Sequence, residues 1–158
     1  MKWLIIGFFV LFSLKSVAQT TTSSHHVSRD SLTLYAQELI GIPYKYGGSS
    51  TTGFDCSGFV HYVFSHFKID VPRTSRAFKS QGIPVETAEA NPGDVILFTG
   101  TNSAVREIGH VGIVLQNKNG TIDFIHSSSS KNHWGVTITR FNESGYVKRF
   151  MGIVNLLS

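Results

Sequence analysis

Helical spacing of apolar residues stops near Gly82, and everything after Pro92-Gly93 reads as short strands. Helices first and strands afterward point to an α+β domain in which the helices pack on a C-terminal antiparallel sheet. From Asp30, placed as N-cap, Leu32, Tyr35, Ala36, Leu39 and Ile40 fall at i, i+3, i+4, i+7 and i+8, and Gly41 and Pro43 end the helix. A second helix is expected from Cys56 to about Phe67, capped by Asp55. Its apolar residues Phe59, Val60, Val63, Phe64 and Phe67 lie within an arc of about 140°. A short third helix follows Pro72-Arg73-Thr74-Ser75 and stops at Gly82. Strands are expected over 94–99, 111–115, 121–126, 136–139 and 146–154, each β-branched or aromatic and bounded by Gly, Asn or Ser.

The 158 residues suffice for one domain with a real core. Lys2 precedes an apolar run from Trp3 to Leu14, and Ser16-Val17-Ala18 supplies small residues for cleavage after Ala18. The expected layout is a signal peptide (1–18), a Ser/Thr-rich flexible tether (19–29) and one domain (30–158). The apolar run is short of the ~20 residues a spanning helix needs, so no membrane anchor is expected after cleavage. The mature chain is expected in the periplasm or secreted, and as a monomer. Charge excludes one class of partner: 14 basic and 10 acidic side chains become 12 and 10 without Lys2 and Lys15, and no Lys/Arg cluster occurs. That is no footprint for nucleic acid. His25-His26 belongs to the tether, and neither cofactor nor metal is expected.

Cys56 is the only cysteine, within Gly53-Phe54-Asp55-Cys56-Ser57-Gly58-Phe59-Val60. At a helix start it meets unsatisfied backbone N–H groups and the positive end of the helix dipole, which favour thiolate. An unpaired thiol in an exported protein, at that position, reads as a nucleophile. The bland alternative is a small buried hydrophobe.

A nucleophilic cysteine needs a base, and the base an orienting group. Of seven histidines, His25 and His26 are in the tether, His61 points away from the sulfur, and His66 is more than two turns down the helix. His133 sits in a polar stretch and reads as a solvated loop residue. His110 opens one strand and His126 closes the next. A two-residue Asn119-Gly120 turn would put them on opposite faces of the sheet. A three-residue loop, Lys118-Asn119-Gly120, pairs Asn117 with Thr121, sets Gly112 opposite His126 and brings His110 to the same face. The second register is predicted.

The ordered set Tyr44-Lys45-Tyr46-Gly47-Gly48, Phe54-Asp55-Cys56-Ser57-Gly58-Phe59-Val60, Pro72-Arg73-Thr74-Ser75, Pro92-Gly93-Asp94 and Gly109-His110-Val111-Gly112-Ile113 resembles the NlpC family of bacterial cell-wall cysteine peptidases. The resemblance spans roughly Asp30 to Val154. It implies a papain-like α+β core, with Cys56 as nucleophile, His110 as base and His126 as the polar third member. It also implies hydrolysis of amide bonds in peptidoglycan stem peptides, at D-glutamyl–diaminopimelate or neighbouring linkages. The stretch from Thr101 to Ile108 is longer and more polar than a minimal member would carry, and could line or cover the cleft.

Four further residues are candidates for substrate contact, each with a structural alternative. Tyr46 contacts substrate or oxyanion, or is a packed aromatic. Asp55 is an N-cap, or also binds a substrate ammonium together with Ser57. Arg73 pairs a substrate carboxylate, or is an ordinary surface arginine. Two other classes of function remain open. One is a Cys/His/His metal-binding module, although the three ligands lack short paired spacings and a fourth. The other is a wall-binding protein without catalysis.

Overall fold

The computed structural model describes residues 27–157; the segment expected as signal peptide, and 19–26 of the expected tether, lie outside them. Helix α1 covers Arg29–Glu38, with Ser28 rather than Asp30 as N-cap. The fold therefore begins at a residue expected in the tether. Leu32 and Ala36 are buried, whereas Ile40, expected on the same stripe, is exposed because the helix has already ended. A two-rung hairpin, β1 (Ser49–Ser50) and β2 (Gly53–Phe54), leads into α2 (Cys56–His66). A single 3₁₀ turn, Ser75–Ala77, runs into the short α3 (Phe78–Gln81), which Gly82 ends.

The remaining strands are β3 (Ile83–Val85), β4 (Val95–Thr99), β5 (Ile108–Lys118), β6 (Thr121–Ser130), β7 (His133–Arg140) and β8 (Phe150–Asn155). They form one antiparallel sheet in the order β3-β8-β4-β5-β6-β7. Strand β3 was not expected, since Ile83-Pro84-Val85 offers no alternation; its proline suits an edge strand. Two expectations fail. Residues 146–149, expected to start a strand, lie in the 3₁₀ turns of Gly145–Arg149. His133, expected in a loop, opens β7.

Each face of the sheet has its own core. Every residue of β4 is buried, with Val95 and Leu97 packing toward α1 and α2 and Ile96 and Phe98 toward the opposite face. On the helix side they meet Leu32, Phe59, Val63, Val111, Ile113 and Ile125. On the other side Ile96, Phe98, Val114 and Phe124 are covered by Phe141 and Tyr146 from the turns that precede β8 and by Phe150 at its start. Arg29 fastens α1 across the sheet: Nη1 donates to the Pro92 carbonyl (2.7 Å) and to Asp94 Oδ1 (2.8 Å). Asp94 is buried, and this cation compensates its charge.

The β5–β6 hairpin differs from expectation in an informative way. Its turn has two residues, Asn119 and Gly120, both at positive φ (52° and 84°), with Lys118 paired to Thr121. Unbroken, that register would put His110 and His126 on opposite faces. A bulge at Leu115 shifts it by one residue, so that Val114 faces Phe124 and Ile113 faces Ile125. The extra residue expected in the turn is absorbed in the strand, and the predicted face is reached all the same. Gly112 makes this close pairing possible, since a Cβ there would lie 2.7 Å from Phe124 Cδ2 and 2.9 Å from the Ile125 carbonyl. Gly112→Ala should therefore destabilise the fold by about 1–3 kcal/mol. Urea unfolding checks this, and an unchanged midpoint would mean that the strands can separate freely.

Candidate active site

Asp55 is the N-cap of α2, accepting from the Gly58 N–H at 2.6 Å. The helix therefore starts at Cys56, and the N–H groups of its first turn point at the sulfur. Gly58 is required here for close approach: a Cβ would collide with the Gly48 carbonyl of the preceding loop. The half-buried Cys56 sulfur lies 3.8 Å from the Gly109 carbonyl, and the Val111 N–H also reaches it. It thus meets β5 on both sides of His110.

His110 and His126 lie together on the sheet face turned away from the helices. Phe98 and His110 ring centroids are 6.0 Å apart, and Phe124 stacks on His126 at 4.8 Å. His110 Nε2 and His126 Nδ1 are 2.9 Å apart, and His126 Nε2 is 3.0 Å from Thr139 Oγ1. His110 Nδ1 makes no hydrogen bond among the described residues. Both rings are buried, at 8% and 1% exposure. Burial, then the facing His126 and the Arg149 cation, holds His110 well below the usual imidazole range. Burial, then Arg149 and His133, brings His126 down to about 3.

The thiol departs from the sequence reading. Burial and the Asp55 carboxylate push Cys56 upward, and the N–H groups of Val111, Ser57 and Cys56 only partly oppose them. Burial thus favours the neutral forms of the thiol and of both imidazoles.

Among the candidate contacts, Tyr46 is 91% exposed at the rim of a cleft of about 330 Å³ that holds Cys56, so it is not a packed aromatic. Arg73 is neither an idle surface residue nor an available cation. Nη1 donates to Asp55 Oδ1 (3.0 Å) and Ser57 Oγ (3.1 Å). Nη2 donates to Asp55 Oδ2 (2.9 Å) and to the carbonyls of Gly47 (2.9 Å) and Gly48 (3.3 Å). One guanidinium thus clamps the 47–48 loop to the tip of α2. The 101–108 stretch borders the cleft across Gly109, and the Arg76–Glu107 ion pair (2.6 Å) ties it to the short 3₁₀ turn before α3. Among the described residues no group of three His, Cys, Asp or Glu could hold a metal ion.

Two site residues escaped the sequence reading. Tyr44 lines the cleft beside Cys56 and packs edge-on against Trp134 at 5.3 Å. Its bridge to Phe54 follows from the same Tyr-Lys-Tyr run that offered Tyr46. Tyr146 stacks on His110 at 5.4 Å, its hydroxyl 3.5 Å from Nε2, and the Arg149 guanidinium lies 4.7 Å above its ring. No local signal marks Tyr146, because the run 146–154 reads as strand.

Residues 41–155 match the NlpC/P60 family. The chain is 30% identical over 146 residues to the γ-DL-glutamyl hydrolase of Bacillus subtilis, covering 92% of this chain and 34% of that protein. It is 38% identical over 117 residues to the probable peptidoglycan endopeptidase LytE of the same organism, covering 74% and 31%. It spans about a third of the length of these curated relatives. The crystal structure of an NlpC/P60 family protein from Bacillus cereus superposes with a TM-score of 0.75 at 28% identity, covering 84% of this chain and 41% of that one. The helices on an antiparallel sheet are thus the papain-like α+β arrangement of these proteins, and the chain belongs to the NlpC/P60 family.

Proposed function

We propose that this protein is a cysteine peptidase of the bacterial cell wall, hydrolysing an amide bond in peptidoglycan stem peptides at a D-glutamyl–diaminopimelate or neighbouring linkage. The observation that carries the reading is the thiol at the tip of α2, meeting β5 at Gly109 and Val111, with the two bonded imidazoles of His110 and His126 on that strand pair. Relatives named as γ-DL-glutamyl hydrolase and probable peptidoglycan endopeptidase support the substrate class. Export to the periplasm or beyond fits such a substrate.

The proposed role of His110 as base selects the proton positions. For His110 to accept at Nδ1, its Nε2 must carry the proton and donate to His126 Nδ1. His126 is then protonated at Nε2 and donates to Thr139 Oγ1. Because the resting thiol is neutral, its proton passes to His110 Nδ1 as the sulfur attacks the amide carbon. The Cys56 N–H, unpaired within the helix, faces the developing oxyanion. Collapse breaks the C–N bond, and His110 returns the proton to the leaving amine. Water, deprotonated by His110, then opens the thioester and releases the carboxylate, and the proton returns to sulfur. In this scheme Arg73 and Asp55 hold the loop and helix tip in place, and Tyr44, Tyr46 and Ser57 wall the cleft that takes the acyl side.

Mass spectrometry of muropeptides after incubation with the mature protein should reveal new amine and carboxylate ends. They should be absent with Cys56→Ala and abolished by iodoacetamide but not by a chelator. Identical products from wild type and Cys56→Ala would remove the hydrolase reading.

The buried imidazoles add a pH prediction. Folding lowers the affinity of His126 for protons from the ordinary 6.5 to about 3, and His110 shifts the same way. Their contribution to stability is full above 6.5 and is lost as pH falls toward the folded values. Tm should hold near neutrality and fall steadily between about pH 6.5 and pH 4, with a shallower fall in His126→Gln. Parallel curves for the two proteins would contradict burial of a neutral ring.

A further inference from the structure

A cavity of about 570 Å³, larger than the cleft of about 330 Å³ at Cys56, lies beside the imidazole pair, between β6, β7 and the turns at 141–149. His126 and Tyr146 belong to its wall and both reach His110 Nε2, so an occupant sits one side chain from His110. The charged groups that face it are Arg140, Glu143, His133 and Arg149. Arg140 is already matched, to Asp123 at 3.1 Å and Glu143 at 3.5 Å. Arg149 is not. No carboxylate pairs with it among the described residues; Nη2 donates to the Thr99 carbonyl at 2.9 Å, and Nε is buried without an acceptor. Its guanidinium lies over Tyr146, 4.7 Å from the ring centroid. A half-buried cation left without an anion is costly unless a ligand supplies one. The hydroxyls of Ser128, Ser130 and Tyr146 line the same space and can donate to such a ligand.

We propose that this cavity is a carboxylate pocket, in which Arg149 with Ser128, Ser130 and Tyr146 receives a free carboxylate of the peptide whose amide is opened at Cys56. The inference rests on the peptide-hydrolase reading above and deepens it. A diamino-acid residue in a stem peptide offers two carboxylates, one at its backbone end and one on its side chain, and the pocket has room for such a residue. A guanidinium with hydroxyls around it distinguishes carboxylate from amide, because only the anion answers the unpaired charge.

The test uses three synthetic γ-glutamyl–diamino-acid peptides: one with both carboxylates free, one amidated at the terminal carboxyl, and one amidated at the side-chain carboxyl. Binding to Cys56→Ala protein is measured by calorimetry and turnover with wild type. One amidated peptide should bind about tenfold or more weakly, which also identifies which carboxylate enters the pocket. Arg149→Met should erase the difference by weakening only the peptides that keep that carboxylate. Ser130→Asp, at the exposed rim, should do the same by repulsion without disturbing Tyr146, and covers the case in which Arg149→Met does not fold. The proposal is overturned if all three peptides bind alike, if none binds, or if Arg149→Met weakens all three equally, which would make Arg149 only a support for Tyr146. Carboxylate-dependent binding without cleavage by wild type would instead refute the hydrolase reading and leave the pocket standing.

Discussion

The bond between His110 Nε2 and His126 Nδ1 sets what the rest of the molecule must achieve. Two imidazoles on neighbouring antiparallel strands can meet only if they share a face, and a one-residue slip would separate them completely. The bulge at Leu115 secures that register against a hairpin turn that would otherwise impose the wrong one. Gly112 lets the strands close beside the rings, and Phe98, Phe124 and Tyr146 pack around them. Burial then keeps both rings neutral, the state in which one can accept a proton and the other can hold it in orientation.

The sulfur is positioned by a different set of contacts, all gathered at the tip of α2. Asp55 caps the helix with one oxygen and meets Arg73 with both, while Arg73 reaches the carbonyls of Gly47 and Gly48. A single buried-side ionic clamp thereby fixes helix start, loop and cleft wall together. Its electrostatic consequence runs against the helix N-terminus: the same Asp55 that caps the helix raises the thiol. In the proposed mechanism, activation of Cys56 therefore depends on His110 rather than on the helix alone.

Local signals were legible in the sequence and distant ones were not. The cap at Asp55, the helix from Cys56 and the core stripe of Phe59, Val63 and Phe64 follow from spacing within a dozen residues. The shared face of His110 and His126 was reached with the extra residue assigned to the turn, because sequence fixes how many residues must be absorbed but not where. Residues 146–149 resemble strand in composition, yet they fold as turns, which lets Tyr146 cover the far core. Arg73 could not be resolved from sequence, since its partners lie 16 to 26 positions away. The cation at Arg149 became visible only once the chain had closed a cavity around it.

The proposed mechanism turns on the protonation of the two rings. Nitrogen-15 NMR of the histidine-labelled protein at neutral pH should find both imidazoles neutral, each with its proton on Nε2, and the His110 proton shared with His126 and slow to exchange. An imidazolium signal from His110 at that pH, or a His110 proton on Nδ1, would contradict it.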